Sequence, residues 1–409
     1  MIAMRRILLA RRRIDPLTLG SGILCLGLML GAGKVAFLVF ALCGLYLAVI
    51  RHRAARRSWS LYGTLLLVWA LWQIGLSLLR GEPLSGNRVL SYAGIEFAMA
   101  FIPAGLCLVP RPLDALAIGA RLALIALLVA APVDYLLSEG RVGLGANEAL
   151  FAFVAGVVGV AARLPARRAP RWLPNGAAWT YLCTVPILLS GTRAAFLIVA
   201  LAAAVDLFRL VGRGVGAPSK RVIALGVVAV ALLAYPAGLL VSQRFESGVR
   251  EMEAFEATGM ATGSVDVRVV MWRSALAVIG EHALLGVGGT RKMEAAGEKA
   301  GANGYMVTYY QHLHNFLLDE AISSGLIGLG LMLSVFVAFL GTLFRRTGER
   351  AMREAGLLLV GFLATFGCFH GVLLNEWTLI ALFGTMGTML AARGRVPGRR
   401  GGSENWARG

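Results

Sequence analysis

The sequence predicts an all-α polytopic integral membrane protein, with about 12 transmembrane helices and one long external loop that itself contains helices. Three observations predict it. Of 409 residues, 58% are hydrophobic and only 15% are charged, against roughly 45–50% and about 25% in soluble domains. Apolar runs close to the roughly 20 residues that cross a bilayer recur along the whole chain. Every cluster of arginine falls on an even-numbered connection between those runs or on a terminus, as in cytoplasmic loops, although the fourth connection has only Arg111.

The runs lie at 16–33, 35–50, 60–79, 89–109, 112–136, 146–164, 175–190, 193–211, 221–242, 316–343, 354–374 and 376–392. Basic clusters occupy the N-terminus (Arg5, Arg6, Arg11, Arg12, Arg13) and the connections holding Arg51 to Arg57, Arg163 to Arg171, Arg209 to Arg221 and Arg345 to Arg353. A last cluster, from Arg393 to Arg408, forms the tail. Displacing the count by one span would destroy this alternation, so both termini are expected on the cytoplasmic side. The expected organisation is therefore helices 1–9 over 1–242, an external loop domain at 243–315, helices 10–12 over 316–392, and a basic cytoplasmic tail at 393–409. The first run is followed by further spans, which argues against a cleavable signal peptide.

The net charge of +18 is mostly this topology signal. It points to anionic membrane lipids and not to nucleic acid. The cysteines, Cys25, Cys43, Cys107, Cys183 and Cys368, lie inside apolar runs without metal-ligand or CxxC spacing and read as small apolar residues. No Asp-x-Asp pair stands on the external side and no Gly-rich nucleotide loop follows a strand, so neither a metal nor any other cofactor is expected.

Removing the cytoplasmic cations leaves the external ones: Lys34, Arg80, Arg88, Arg141, Arg193, Arg244, Arg250, Arg268, Arg273, Arg291, Lys292 and Lys299. Ionisable groups at the membrane surface are costly and mark functional candidates. Arg193 follows the short turn Ser190-Gly191-Thr192 at the start of a span, where helix N–H groups and a planar guanidinium suit phosphate; the alternative is an interfacial arginine that snorkels. Residues 266–282 read as an amphipathic helix, capped by Ser264. Arg268 and Trp272, four apart, share one of its faces; the alternative is a helix lying on the membrane with solvated arginines. The glycines of Leu284-Leu285-Gly286-Val287-Gly288-Gly289 allow a turn with positive φ. His314 stands where the chain re-enters the membrane, suited to accept a proton near neutral pH, and Asn315 beside it suits a helix cap. Within the spans Arg121 and Glu96 are expected to pair across neighbouring helices.

Three segments together resemble the O-antigen ligase family of bacterial membrane glycosyltransferases, with its related polymerases and protein O-oligosaccharyltransferases. They are Ser190-Gly191-Thr192-Arg193, then Arg268-(x3)-Trp272-Arg273 with Leu284-Leu285-Gly286-Val287-Gly288, and His314-Asn315-(x2)-Leu318-(x6)-Gly325-(x2)-Gly328. Ser323 replaces a glutamate and Ala283 a proline common in relatives. The resemblance implies an inner-membrane enzyme with a periplasmic loop and site. The implied donor is a glycan on undecaprenyl diphosphate and the implied acceptor is the lipid A-core oligosaccharide. On this reading Arg193 and Arg268 clamp the diphosphate, with Arg273, Arg88 and Asn315 as helpers, and His314 deprotonates the acceptor hydroxyl. Polymerase and protein oligosaccharyltransferase activities remain alternatives, as does a lipid-linked glycan transporter, though no internal repeat of the transporter kind is visible.

Overall fold

The computed structural model describes residues 2–50, 59–138, 140–211 and 246–392. Among them there is no β-strand. The helices are α1 (Ile2–Gly27), α2 (Gly31–Ile50), α3 (Leu61–Leu79), α4 (Arg88–Met99), α5 (Ile102–Leu106), α6 (Pro112–Ser138), α7 (Glu148–Arg163), α8 (Ala178–Leu182), α9 (Thr184–Ser190) and α10 (Leu197–Val211). After a helix α11 over 246–258 come α12 (Ser264–Glu281), α13 (Lys292–Lys299), α14 (Gly304–Tyr309), α15 (Phe316–Arg346), α16 (Arg350–Gly367) and α17 (Glu376–Ala391).

Five stretches among the described residues are long and apolar enough to cross a membrane: α2, α3, Arg88–Leu106, α6 and α15. Several expected spans differ in form. The run at 175–190 is split into α8 and α9, and the run at 354–374 ends as helix at Gly367. The run at 221–242, the tail 393–409 and Arg244 lie outside the described residues.

The main core is built by close helix crossings. α6 packs on α1 and α7, α15 on α3, and α2 on α5. Where α2 meets α5, a Cβ on Gly105 would fall 1.9 Å from the Phe40 carbonyl oxygen, so only glycine permits the approach. Phe153 of α7 stacks on Phe362 of α16 at 5.1 Å.

The expected pairing of Arg121 with Glu96 is wrong. Arg121, fully buried, donates to the carbonyls of Ala162, Leu164 and Leu173 and to Asn175. It satisfies the open carbonyls at the C-terminal end of α7, which would otherwise be stranded in an apolar interior. Glu96 accepts from Gln73 at 2.6 Å instead. Backbone acceptors thus replaced the carboxylate that a charge-matching argument suggested. Arg121→Ala is expected to destabilise the bundle by roughly 3 kcal/mol or more, because several buried acceptors lose their donor together; a thermal melt in detergent that matches wild type would contradict it. A second arginine, Arg163, is also buried, in a forked pair with Asp206.

α15 is not one continuous helix. At Gly325 the backbone turns to φ 74, ψ −178. The carbonyls freed by the break are taken up by the loop after α12. Val287 N–H donates to Ile322 at 2.8 Å and Gly288 N–H to Ser323 at 3.0 Å. Trp72 Nε1 donates to Ser324, and Arg80 donates to Ser323, Leu285 and Gly286. In return Leu326 N–H reaches the Ala283 carbonyl at 2.8 Å. Non-helical backbone at membrane depth requires such internal partners. Gly286 and Gly288 adopt φ +71 and +99, the positive values the turn was expected to need.

A second, smaller core lies in the long loop. Val267, Met271, Ala275 and Val278 of α12 pack with Met293, Ala296, Val307, Leu313 and Ile322. The period-3.6 pattern of α12 is the cause. Its cap differs from expectation: Gly263, not Ser264, precedes the first turn, and the Asp266 carboxylate accepts the N–H groups of Thr262 and Gly263.

Candidate active site

The site is assembled by three short connections and one helix face. Trp272 Nε1 on α12 donates to the Leu313 carbonyl at 2.8 Å. Asp319, one turn into α15, accepts the Leu313 N–H at 3.1 Å and the Lys292 ammonium at 2.6 Å. Both groups of Leu313 are therefore fastened, and the next residue, His314, is held at φ +53. A side chain other than glycine rarely adopts that conformation, and such strain collects at functional positions. Asn315 Oδ1 accepts from Leu317 and Leu318 N–H, so it caps α15.

His314 sits among aromatic rings. Its imidazole is 4.3 Å from His312, 5.5 Å from Tyr310 and 6.3 Å from His370 between centroids. Its Nδ1 is buried with no hydrogen-bond partner. Burial, and then the neighbouring His312 and Arg268 charges, hold His314 down at about 4. Burial first, then His314, Arg268, His312 and Arg141, bring His370 to about 3. His370 stacks on Phe366 at 4.5 Å, in the connection between α16 and α17.

Arg268 lies on the same face of α12 as Trp272, as their spacing predicts. It is half-buried, and burial disfavours its charged form. Among the described residues it has no ion pair, whereas five of the cations expected on the external side have a carboxylate. Lys34 is bound to Glu376, Arg250 to Glu246, Arg291 to Glu294, Lys292 to Asp319 and Lys299 to Glu281.

The remaining candidates divide. Arg88, at the first position of α4, donates to Gln311 Oε1 at 2.6 Å and so touches the segment that carries His314. Arg193 opens a 3₁₀ turn, Arg193–Phe196, after Gly191 in the left-handed conformation and the extended Thr192. Arg141 ties this turn together, donating to the Ser190 carbonyl at 2.8 Å and to Thr192 Oγ1 at 3.2 Å. The Arg141 charge is the smallest of those that lower His370. Arg273 is exposed, five residues beyond Arg268 and turned to another side of α12.

Sequence reasoning singled out neither Arg141 nor His370. Arg141 appeared only as one external cation among a dozen, and His370 was hidden inside an expected span. The pairing of Lys292 with Asp319 was likewise unread, because it joins residues 27 apart. Among the described residues no group of three or more His, Cys, Asp or Glu side chains is placed to hold a metal ion.

Residues 177–333 match the family model described as O-antigen ligase, Wzy_C. The chain carries an O-antigen ligase domain. That segment contains the Arg193 turn, α12 with Arg268, the glycine loop and His314, while Arg88, Arg141 and His370 lie outside it. No curated protein matches the chain. The ligase domain is that of membrane enzymes of glycosyltransferase type, which act on lipid-linked glycans.

Proposed function

We propose that the chain is an O-antigen ligase of the bacterial inner membrane, with both termini cytoplasmic and its site on the periplasmic side. It moves a glycan from undecaprenyl diphosphate to the lipid A-core oligosaccharide without metal or ATP. The observation that carries this reading is Arg268: a half-buried guanidinium, without a carboxylate, beside an imidazole whose Nδ1 has no partner. Even a half-buried cation without a counterion favours the arrival of an anion. The diphosphate of the donor is such an anion, and guanidinium groups bind it through forked hydrogen bonds.

In the reaction the acceptor oxygen attacks the anomeric carbon from the face opposite the diphosphate. The new C–O bond forms as the bond to the diphosphate oxygen breaks, and its electron pair leaves with the diphosphate. Configuration inverts. His314 takes the hydroxyl proton, while Arg268 and Arg193 stabilise the charge on the leaving group. Donor binding also prepares the base. An anion on Arg268 offsets one of the charges that lower His314, so its basicity rises when the donor is present.

This has a pH consequence. In the free enzyme His314 stays neutral down to about 4, so kcat/KM is expected to show no acid limb near 6.5, the ordinary imidazole value. The limb should appear near pH 4. Stability shifts with the opposite partner: the unfolded imidazole binds a proton below about 6.5 while the folded one does not, so stability falls as pH drops from about 6.5 toward 4. A limb at 6.5 in the pH profile would contradict the buried environment of His314.

Deleting the gene and resolving the surface glycolipids on a gel tests the function. Core without glycan, with polymer accumulating on the carrier lipid, identifies the ligase. A core bearing one repeat identifies a polymerase, and an unchanged pattern directs attention to protein glycosylation or transport.

A further inference from the structure

The segment that ends in His314 carries a row of aromatic rings that the chemistry above does not use. Tyr305 and Tyr309 stand four residues apart on α14 and share a face. They are 81% and 76% exposed. The opposite side of α14 is buried, with Val307 fully enclosed in the loop-domain core. From Tyr309 the row continues inward: Tyr309 meets Tyr310 edge-on at 5.7 Å, and Tyr310 meets His314 edge-on at 5.5 Å. Two large rings left uncovered side by side are unusual on a surface that is not an interface. Single exposed apolar residues need no explanation; a contiguous row leading to a base does.

We propose that Tyr305, Tyr309 and Tyr310 form a binding platform for the pyranose rings of the acceptor glycan, leading the sugar that bears the attacking hydroxyl to His314. The inference rests on the ligase reading above and extends it. A pyranose has an apolar face of C–H groups and a rim of hydroxyls. A tyrosine offers a flat apolar ring for the face and a phenol for the rim, and it loses little conformational freedom on binding because only two side-chain torsions are fixed. The platform belongs to the acceptor because it reaches the site at the imidazole that receives the acceptor's proton. The nearby polar pair Arg88–Gln311 supplies donors and acceptors beside the rings.

The test uses the full-length protein in detergent with a lipid-linked glycan donor and a core-lipid acceptor, each varied separately. Tyr305→Ala and Tyr309→Ala are expected to raise the KM for the acceptor roughly tenfold and to leave that for the donor unchanged. Tyr309→Phe should keep most of the acceptor affinity, since the ring does the stacking. Saturation-transfer NMR with the delipidated core oligosaccharide should show contact in wild type and its loss in the alanine variants, without turnover. Unchanged acceptor constants in active alanine variants would overturn the platform alone. Equal rises for donor and acceptor would also overturn it, as would a defect seen only in bilayers, which would mark the tyrosines as interfacial anchors. If the wild-type protein transfers nothing to any core lipid, the ligase reading itself fails.

Discussion

Replacing His314 by asparagine is expected to reduce glycan transfer by roughly 10²–10⁴-fold while the protein still folds. On the proposed reading the imidazole takes the proton; the rings around it are those of His312, Tyr310 and His370, and the Asp319 charge also acts on it. Asparagine tolerates the left-handed backbone that His314 adopts at φ +53, so the substitution separates chemistry from folding. The check is a transfer assay with a melting curve on the same preparation. Near-wild-type transfer by the folded variant would remove His314 from the chemistry.

The second large effect falls on stability. Gly325→Ala is expected to cost roughly 3–5 kcal/mol and to leave little protein in the membrane, since backbone strain of this kind and overpacking each contribute about 1–3 kcal/mol. At φ 74, ψ −178 the backbone is in a region that only glycine occupies readily. A Cβ there would lie 2.0 Å from the Leu284 carbonyl oxygen and 2.5 Å from Leu285 N, and backbone cannot step aside as a side chain can. The break also connects two parts of the site. Shifting Leu284 to Gly288 would move the end of α12 and with it Arg268 and Trp272. Normal yield and melting temperature for Gly325→Ala would contradict this account of the kink.

Much of the plan was legible because its cause is local. Apolar runs mark helices, and the spacing of Arg268 and Trp272 places them on one face whatever surrounds them. The glycine motifs were visible as residues, but their joint purpose was not: Gly286 and Gly325 are needed because the two segments exchange backbone hydrogen bonds, a contact between residues about forty positions apart. Arg121 was misread for a related reason. A buried arginine suggests a carboxylate, yet carbonyls at a helix end serve as well and are invisible in sequence. His370 and Arg141 join the site only through folding. In contrast the helix cap at Asn315 was readable, and its side-chain oxygen accepts from Leu317 and Leu318 N–H.

The central claim is that Arg268 awaits the diphosphate of a lipid-linked donor. The direct measurement is the affinity of the purified protein for a polyprenyl diphosphate, followed by ³¹P NMR or calorimetry, with wild type and with Arg268→Ala. The account predicts saturable binding by wild type and a loss of roughly 30-fold or more in the variant, the loss of about 2–5 kcal/mol expected when one member of a buried charge pair is removed. Equal affinity in a folded Arg268→Ala protein would contradict it.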